Sequence, residues 1–441
     1  MRVAVIGSGI AGLTVAHRLQ VEHDITVFEA NDYIGGHTAT VDVERHGKTW
    51  AIDTGFIVFN DWTYPNFIAL LNEVGADWQW SDMSFSYQCE RSGLEYNGTS
   101  LNSLFAQRRN CFRPSFLRMI SEILRFNSRA RELLQPTDAR LSSAKPSPNL
   151  SLGEYLQRGK YSREFCQQYI LPMGKAIWSA TEQAMFDFPA RFFVEFFDKH
   201  GFLNVSNRPV WRTVRGGSRE YVRKLTAPFR DRLLLNTPVT NVMRDPNGVS
   251  VRTRGGDTSR FDYVVFACHS DQALRMLQEP LGAEQELLNA FPYQENDVVL
   301  HTDERLLPRT ALARAAWNYY APVKPQERVA VTYDMNVLQA LDAKDRFLVS
   351  LNQNDRIDPA SVLGRYVYHH PVYTPSAVAA QARRLEVSGR NRTAYCGAYW
   401  RYGFHEDGVV TGLWAVDDVN RMVEAERLAL GTGLPARRAT V

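Results

Sequence analysis

The chain has 441 residues and carries 51 Lys and Arg against 48 Asp and Glu, a formal net charge of +3. So small an excess gives no electrostatic ground for a nucleic-acid partner, and 44% hydrophobic with 22% charged residues rules out a disordered chain. The length accommodates two or more domains.

The first element is a short apolar strand in "MRVAVIGSG", so early that no signal peptide is expected. A glycine turn and an apolar-periodic helix follow, "GSGIAGLTVAHRL". Gly7, Gly9 and Gly12 have the GxGxxG spacing. Gly7 permits the tight turn, Gly9 lets a pyrophosphate approach the backbone, and Gly12 lets helix and strand pack closely. The helix start, with Ile10 and Ala11, offers free N–H groups and a positive dipole end to phosphate. The next strand, "DITVFEA", ends in Glu29 and Ala30, and a carboxylate there suits an unmodified ribose diol. A second glycine turn, "NDYIGGHTATV", adds Gly35, Gly36, His37 and Thr38. "WAIDTGFIVFN" then adds Gly55, Phe56 and Ile57.

These motifs resemble the FAD-binding oxidoreductase superfamily of amine oxidases, phytoene desaturases and protoporphyrinogen oxidases. In that superfamily the acid is followed by an R-x-G-G-R-type motif; here Tyr33 and His37 stand at its basic positions. The match is closer to a branch of predicted NAD/FAD-binding amine oxidoreductases, which the chain resembles over its whole length. The resemblance implies FAD as cofactor. Gly7, Gly9, Ile10, Ala11, Gly12, Glu29, Ala30, Gly35, Gly36, His37, Thr38, Gly55, Phe56 and Ile57 are then expected at the cofactor.

Further along, 61–204 reads as mainly helical. Within it, 104–133 carries Arg108, Arg109, Arg113, Arg118, Arg125, Arg129 and Arg131 interleaved with Phe and Leu, the pattern of a basic amphipathic helix, either on a membrane surface or docked on its own domain with a solvated basic face. "RLSSAKPSPNLS" (140–151) reads as a flexible surface loop. "MFDFPARFFVEFFDKHGF" (185–202) suits either a plain core or an apolar tunnel. After a turn and helix at 210–225, strands flank a Pro-Asn-Gly turn signal near 246–248, and an apolar strand leads through Ala267. The runs "NDVVLHT", "AAWNYYA", "RVAVTYDM" and "RFLVSLN" are strand-like. Asn318, Tyr319, Tyr333, His369 and His370 are substrate-side candidates. His369–His370 lacks a paired acid at ligand spacing, so no metal site is expected.

The last dense motif is "YCGAYWRYGFHEDGVVTGLW". In the family a strand near the C-terminus ends in glycine beside the flavin and a helix then opens toward it. The resemblance therefore places Gly397, Glu406, Asp407, Gly408 and Val409 at the cofactor, Val239 beside adenine, and Ala267 where the chain crosses to the substrate domain. His405 is the candidate catalytic imidazole, with a structural contact to flavin or backbone as the other reading. Cys396 reads as a small packed residue, with covalent flavin attachment as the other option.

The expected fold is α/β: a discontinuous Rossmann-like FAD-binding domain (1–60, 205–270 and 391–441) with a mixed-sheet and helix substrate domain (61–204 and 271–390). The active site is expected at their junction. The expected activity is that of an FAD-dependent oxidoreductase taking a hydride from a lipid or fatty-acyl substrate, with oxygen or a quinone as later electron acceptor. The reasons are the basic-aromatic segment, the aromatic tract, and the link of this branch to modified fatty acids. An amine oxidase and a redox-neutral fatty acid isomerase remain alternatives, and a non-catalytic FAD-binding protein has no feature favouring it. Five scattered cysteines and the lack of an apolar run of about 18 residues point to the cytoplasm, with peripheral contact through 104–133 at the inner membrane face.

Overall fold

The computed structural model describes residues 1–135, 150–324, 326–429 and 431. The loop expected at 140–151 lies outside them, apart from its last two residues. The chain divides into two units, one of 1–36, 225–290 and 380–441, the other of 37–224 and 291–379.

The first unit is built on a parallel sheet. Its strands run in the order Leu233–Leu234, Asp24–Phe28, Arg2–Ile6, Tyr263–Phe266 and Thr393–Tyr395. Their sequences are nearly unbroken apolar runs because both faces are covered; Val3, Ala4 and Val5 are fully buried. The helix Ile10–Leu19 follows the first strand, and the long helix His405–Ala429 packs on it. Two glycines allow that approach. A Cβ on Gly408 would stand 2.6 Å from Ile10 Cγ2, and one on Gly412 would stand 2.8 Å from the Ala11 carbonyl oxygen. The strands around the Pro-Asn-Gly turn form an antiparallel sheet of Val239–Asp245, Gly248–Thr253 and Thr258–Phe261.

The second unit holds a seven-stranded sheet in the order Val362–Pro371, Tyr293–His301, Leu348–Leu351, Val331–Asp334, Trp317–Ala321, Phe85–Cys89 and Glu95–Asn97. The four expected strand runs are here. The last two strands lie within 61–204, whose described residues are otherwise mainly helical as expected: "FSYQC" alternates with period 2 and pairs in parallel with Trp317–Ala321. The basic segment is not one helix. A short helix Leu101–Leu104 and a 3₁₀ turn Arg108–Phe112 precede the helix Pro114–Arg129, because Pro114 sits at a helix N-terminus and cannot continue an upstream helix. In the 185–202 tract, Phe188, Phe193, Phe196 and Phe197 are buried, and Phe188 and Phe196 lie 4.7 Å from Trp178 between ring centroids. This stretch is core.

Two buried histidines in this unit are held neutral. His301 accepts the Asp303 N–H at Nδ1 (3.0 Å) and meets the Ser350 hydroxyl through Nε2 (2.8 Å). His200 stacks on Phe196 with centroids 3.8 Å apart. Burial lowers both from 6.5 to about 4. Between those pH values the unfolded chain binds more protons than the folded one, so stability falls as pH drops from 6.5 towards 4. Each histidine removes roughly 2–3 kcal/mol at the acid end. Calorimetry is expected to show Tm level above neutrality and falling steeply below about pH 6; a Tm unchanged down to pH 4.5 would contradict this.

Candidate functional site

At the carboxyl ends of the parallel strands the first unit forms a glycine-lined cradle. Gly7 has φ +107° and donates its N–H to the Phe28 carbonyl (2.8 Å). A Cβ there would stand 2.8 Å from the Ala267 carbonyl oxygen, and one on Gly12 would stand 2.0 Å from the Gly7 carbonyl oxygen. These two glycines are required by protein packing. Gly9 differs, since a Cβ there would meet nothing within 4 Å. Gly9 is also the N-cap of the helix Ile10–Leu19, which has no side-chain cap. An open approach to backbone beside an uncapped helix start fits a pyrophosphate. Gly35 bridges to Gly9, and a Cβ on Gly36 would stand 3.3 Å from Gly9 Cα, so both glycine turns meet here.

Glu29 follows the second strand and is buried. It accepts from Ser8 N (3.0 Å), Ser8 Oγ (2.6 Å), Asn31 N (2.9 Å) and Asn31 Nδ2 (2.9 Å). The expected ribose partner thus also ties the first glycine turn to the second strand. Ser8 and Asn31 were not singled out by the motif, whose spacing specifies only glycines and the acid. The Glu29 carbonyl accepts from Thr237 N (2.8 Å), two residues before Val239, which opens its strand. Ala30 is exposed beside Glu29.

The C-terminal motif closes on itself. Gly397 has φ +148° and donates to Thr411 Oγ1 (3.1 Å). Burial pushes the Cys396 thiol up, so it stays protonated, with Sγ 3.7 Å from the Phe266 carbonyl oxygen. Asp407, expected at the cofactor, accepts from Arg401 Nε (2.8 Å) and Phe404 N (2.9 Å), which fixes the turn before the helix. His405, Glu406 and Val409 are buried in the first turns of that helix.

His37, Thr38, Gly55, Phe56 and Ile57 belong to the second unit. Phe56 N donates to the His37 carbonyl (2.7 Å), and a Cβ on Gly55 would stand 2.1 Å from that oxygen. Thr38 pairs with the Tyr221 hydroxyl (2.6 Å), and the Ile57 carbonyl accepts from Thr213 Oγ1 (2.8 Å). The His37 ring lies 5.1 Å from Tyr368 and 5.5 Å from His370. Among the described residues its buried Nε2 has no partner, and burial lowers the ring to about 4, so it is neutral. Asp53, which no motif marked, anchors this stretch. Its carboxylate accepts from Thr40 Oγ1 (2.6 Å), Ser218 Oγ (2.8 Å) and Gln339 Nε2 (3.1 Å), and burial raises it to about 6.

The seven-stranded sheet has two unlike faces. Cross-strand register sets Tyr96, Tyr87, Tyr319, Val331 and Leu351 in one row, with Phe85, Trp317, Tyr333 and Val349 in the next. The opposite face carries Ser86, Asn318, Thr332 and Ser350, all buried. Asn318, a substrate-side candidate from sequence, is consumed there: its amide bonds Ala315 N (2.9 Å), Ala315 O (2.6 Å) and Thr332 O (3.2 Å). Tyr319 and Tyr333 lie on the aromatic face. His370 Nδ1 pairs with Asn296 (3.2 Å), and His369 lies 3.6 Å from Glu295.

Residues 10–420 match the model of the family described as flavin containing amine oxidoreductase. The candidate flavin-containing monoamine oxidase AofH of Mycobacterium tuberculosis is 26% identical over 299 residues, which is 66% of this chain and 62% of AofH. The chain thus matches less than two thirds of that relative's length. Among solved structures, cyclohexylamine oxidase from Brevibacterium oxydans IH-35A superposes with a TM-score of 0.67 at 16% identity, covering 96% of this chain and 99% of that one. The conjugated-linoleic-acid (CLA)-producing fatty acid isomerase from P. acnes gives 0.66 at 17%, covering 95% and 98%. At these identities the likeness is one of fold. The family match spans most of the chain, and the chain belongs to the flavin-containing amine oxidoreductases, a family of FAD-dependent oxidoreductase enzymes.

Proposed function

We propose that the protein takes a hydride from a fatty-acyl substrate drawn from a lipid surface, in the manner of a desaturase, with oxygen or a quinone as the final acceptor. The observation that carries this reading is the outward side of 101–129. Phe112 is 88% exposed, and Leu101, Leu117 and Leu124 also face solvent, among the exposed Arg108, Arg109, Arg118 and Arg129. Phe116, Met119 and Phe126 are turned inward instead, so these outward apolar residues are surplus to the core. Apolar side chains ringed by arginine suit insertion among anionic headgroups.

Bound FAD supplies a two-electron acceptor for the hydride. In this reading the Gly9 backbone and the uncapped helix start hold the diphosphate, and Glu29 accepts from the ribose. Val239, Ala267, Gly397 and the helix start around Glu406, Asp407, Gly408 and Val409 complete the cofactor's surroundings. His405 is assigned to hold the proton that leaves the chain with the hydride.

The test is anaerobic mixing with purified flavoprotein. Acyl chains in anionic vesicles are expected to bleach the flavin, since its electrons have no other outlet, and primary amines or polyamines are not. Leu117→Glu with Leu124→Glu is expected to slow bleaching by vesicle-borne acyl chains several-fold and leave bleaching by detergent-dispersed chains unchanged. Bleaching by amines alone would overturn the reading in favour of amine oxidation, which the family description supports. Lipid turnover with the flavin still yellow would make the protein an isomerase.

A further inference from the structure

The carboxylate of Glu29 is engaged by the chain at both oxygens. Oε2 accepts from Ser8 N (3.0 Å) and Ser8 Oγ (2.6 Å), and Oε1 accepts from Asn31 N (2.9 Å) and Asn31 Nδ2 (2.9 Å). A carboxylate offers about four acceptor positions, so these four donors fill it. A ribose hydroxyl can donate to Glu29 only where one of them gives way. Which one yields follows from how firmly each is held.

Ser8 is fully buried, and its hydroxyl is used twice, donating to Glu29 and accepting from Gly35 N (3.3 Å). One hydroxyl thus joins the first glycine turn, the second glycine turn and the acid. Its bond to Oε2 is the shortest of the set and charge-assisted, and water cannot replace it in a position closed to solvent. The two backbone donors are equally fixed. Ser8 N follows Gly7, whose own N–H is bonded to the Phe28 carbonyl (2.8 Å), and the Asn31 carbonyl accepts from Asn236 N (2.9 Å). Glu29 itself is tied on both sides, its N–H to the Leu234 carbonyl (2.9 Å) and its carbonyl to Thr237 N (2.8 Å). The Asn31 side chain differs. Asn31 is exposed, and its amide can exchange a bond to Glu29 for one to water at little cost.

We propose that Ser8 is the positioning residue of the ribose site: it fixes Glu29 through Oε2, while the adenosine ribose diol takes the place of the Asn31 amide at Oε1. The proposal rests on the ribose contact assigned to Glu29 and deepens it. Two residues with matching pairs of bonds to one carboxylate then have opposite effects. Loss of the Ser8 hydroxyl loosens the acid that the ribose needs, and loss of the Asn31 amide frees a lone pair for the ribose.

The test equilibrates the purified flavoprotein with excess of an FAD analogue whose adenosine ribose lacks both hydroxyls, and reads the bound dinucleotide by chromatography. Wild type is expected to prefer FAD roughly 10- to 100-fold. Ser8→Ala should bring that preference close to parity, and Asn31→Ala should keep or raise it. Ser8→Cys, near in volume but a weak donor, carries the same expectation as Ser8→Ala. A variant that purifies without flavin is titrated with each dinucleotide separately, by quenching of its tryptophan fluorescence. Ser8→Ala that binds FAD more weakly yet keeps the wild-type preference is structural only and overturns the proposal, as does Asn31→Ala that loses the preference. If Glu29→Ala abolishes the preference and Ser8→Ala does not, the contact of Glu29 stands without the serine. If wild type accepts both dinucleotides alike, the ribose contact of Glu29 falls and the proposal falls with it.

Discussion

Replacing Gly9 by valine is expected to yield a folded but colourless protein. The three glycines of the first turn are not equivalent. A Cβ on Gly12 would stand 2.0 Å from the Gly7 carbonyl oxygen, so Gly12→Ala must push the first helix off its strand and should cost folding as well as colour. Gly9 has open space where the new side chain would go, and its φ of −65° suits any residue. The substitution is therefore silent for the chain and obstructs only a ligand approaching the backbone. Absorbance of the purified variant near 450 nm should be lost, with its far-ultraviolet circular dichroism intact. Valine at Gly9 that still retains stoichiometric FAD would place the pyrophosphate elsewhere.

Asp418→Ala is expected to be the most damaging single change in the first unit. Asp418 is fully buried and accepts from Arg384 Nη1 (2.6 Å) and Ser388 Oγ (2.5 Å), with Arg421 as a further partner. Ser388 Oγ in turn accepts from Tyr395 N (3.0 Å), so the cluster ties the long C-terminal helix to the last strand of the parallel sheet. Arg384 is itself buried, and removing the aspartate strands its guanidinium in the interior. The expected cost is about 3–5 kcal/mol. In a chain of this size that corresponds to a Tm lower by roughly 3–6 °C. Arg384→Met combined with Asp418→Leu removes both charges and should recover most of the loss. A single mutant with unchanged Tm would show that the cluster contributes little.

The two stretches at the ends of the cofactor motif were legible for different reasons. "VAVIGSGIAGL" declares itself because strand, turn and helix are all set by neighbours in sequence: an apolar run, glycines where the backbone must turn, and 3.6-residue periodicity. The acid at Glu29 follows at a distance fixed by one helix and one strand. Through these local rules the α/β class and most strands of both sheets were legible in the sequence, while the family and FAD came from the resemblance that these motifs carry.

What it left open were pairings between distant segments. Asp53 meets Gln339 across 286 positions, and Ser8 and Asn31 share the carboxylate of Glu29. Asn318 looked free in "AAWNYY", but its amide bonds backbone on its own strand's buried polar side. The basic segment read as one helix until Pro114 divided it, and only burial separated the outward Leu117 and Leu124 from the inward Phe116 and Phe126. Secondary structure follows from residues a few positions apart, whereas burial and charge pairing depend on which segments the fold brings together, and that is decided only when the chain closes.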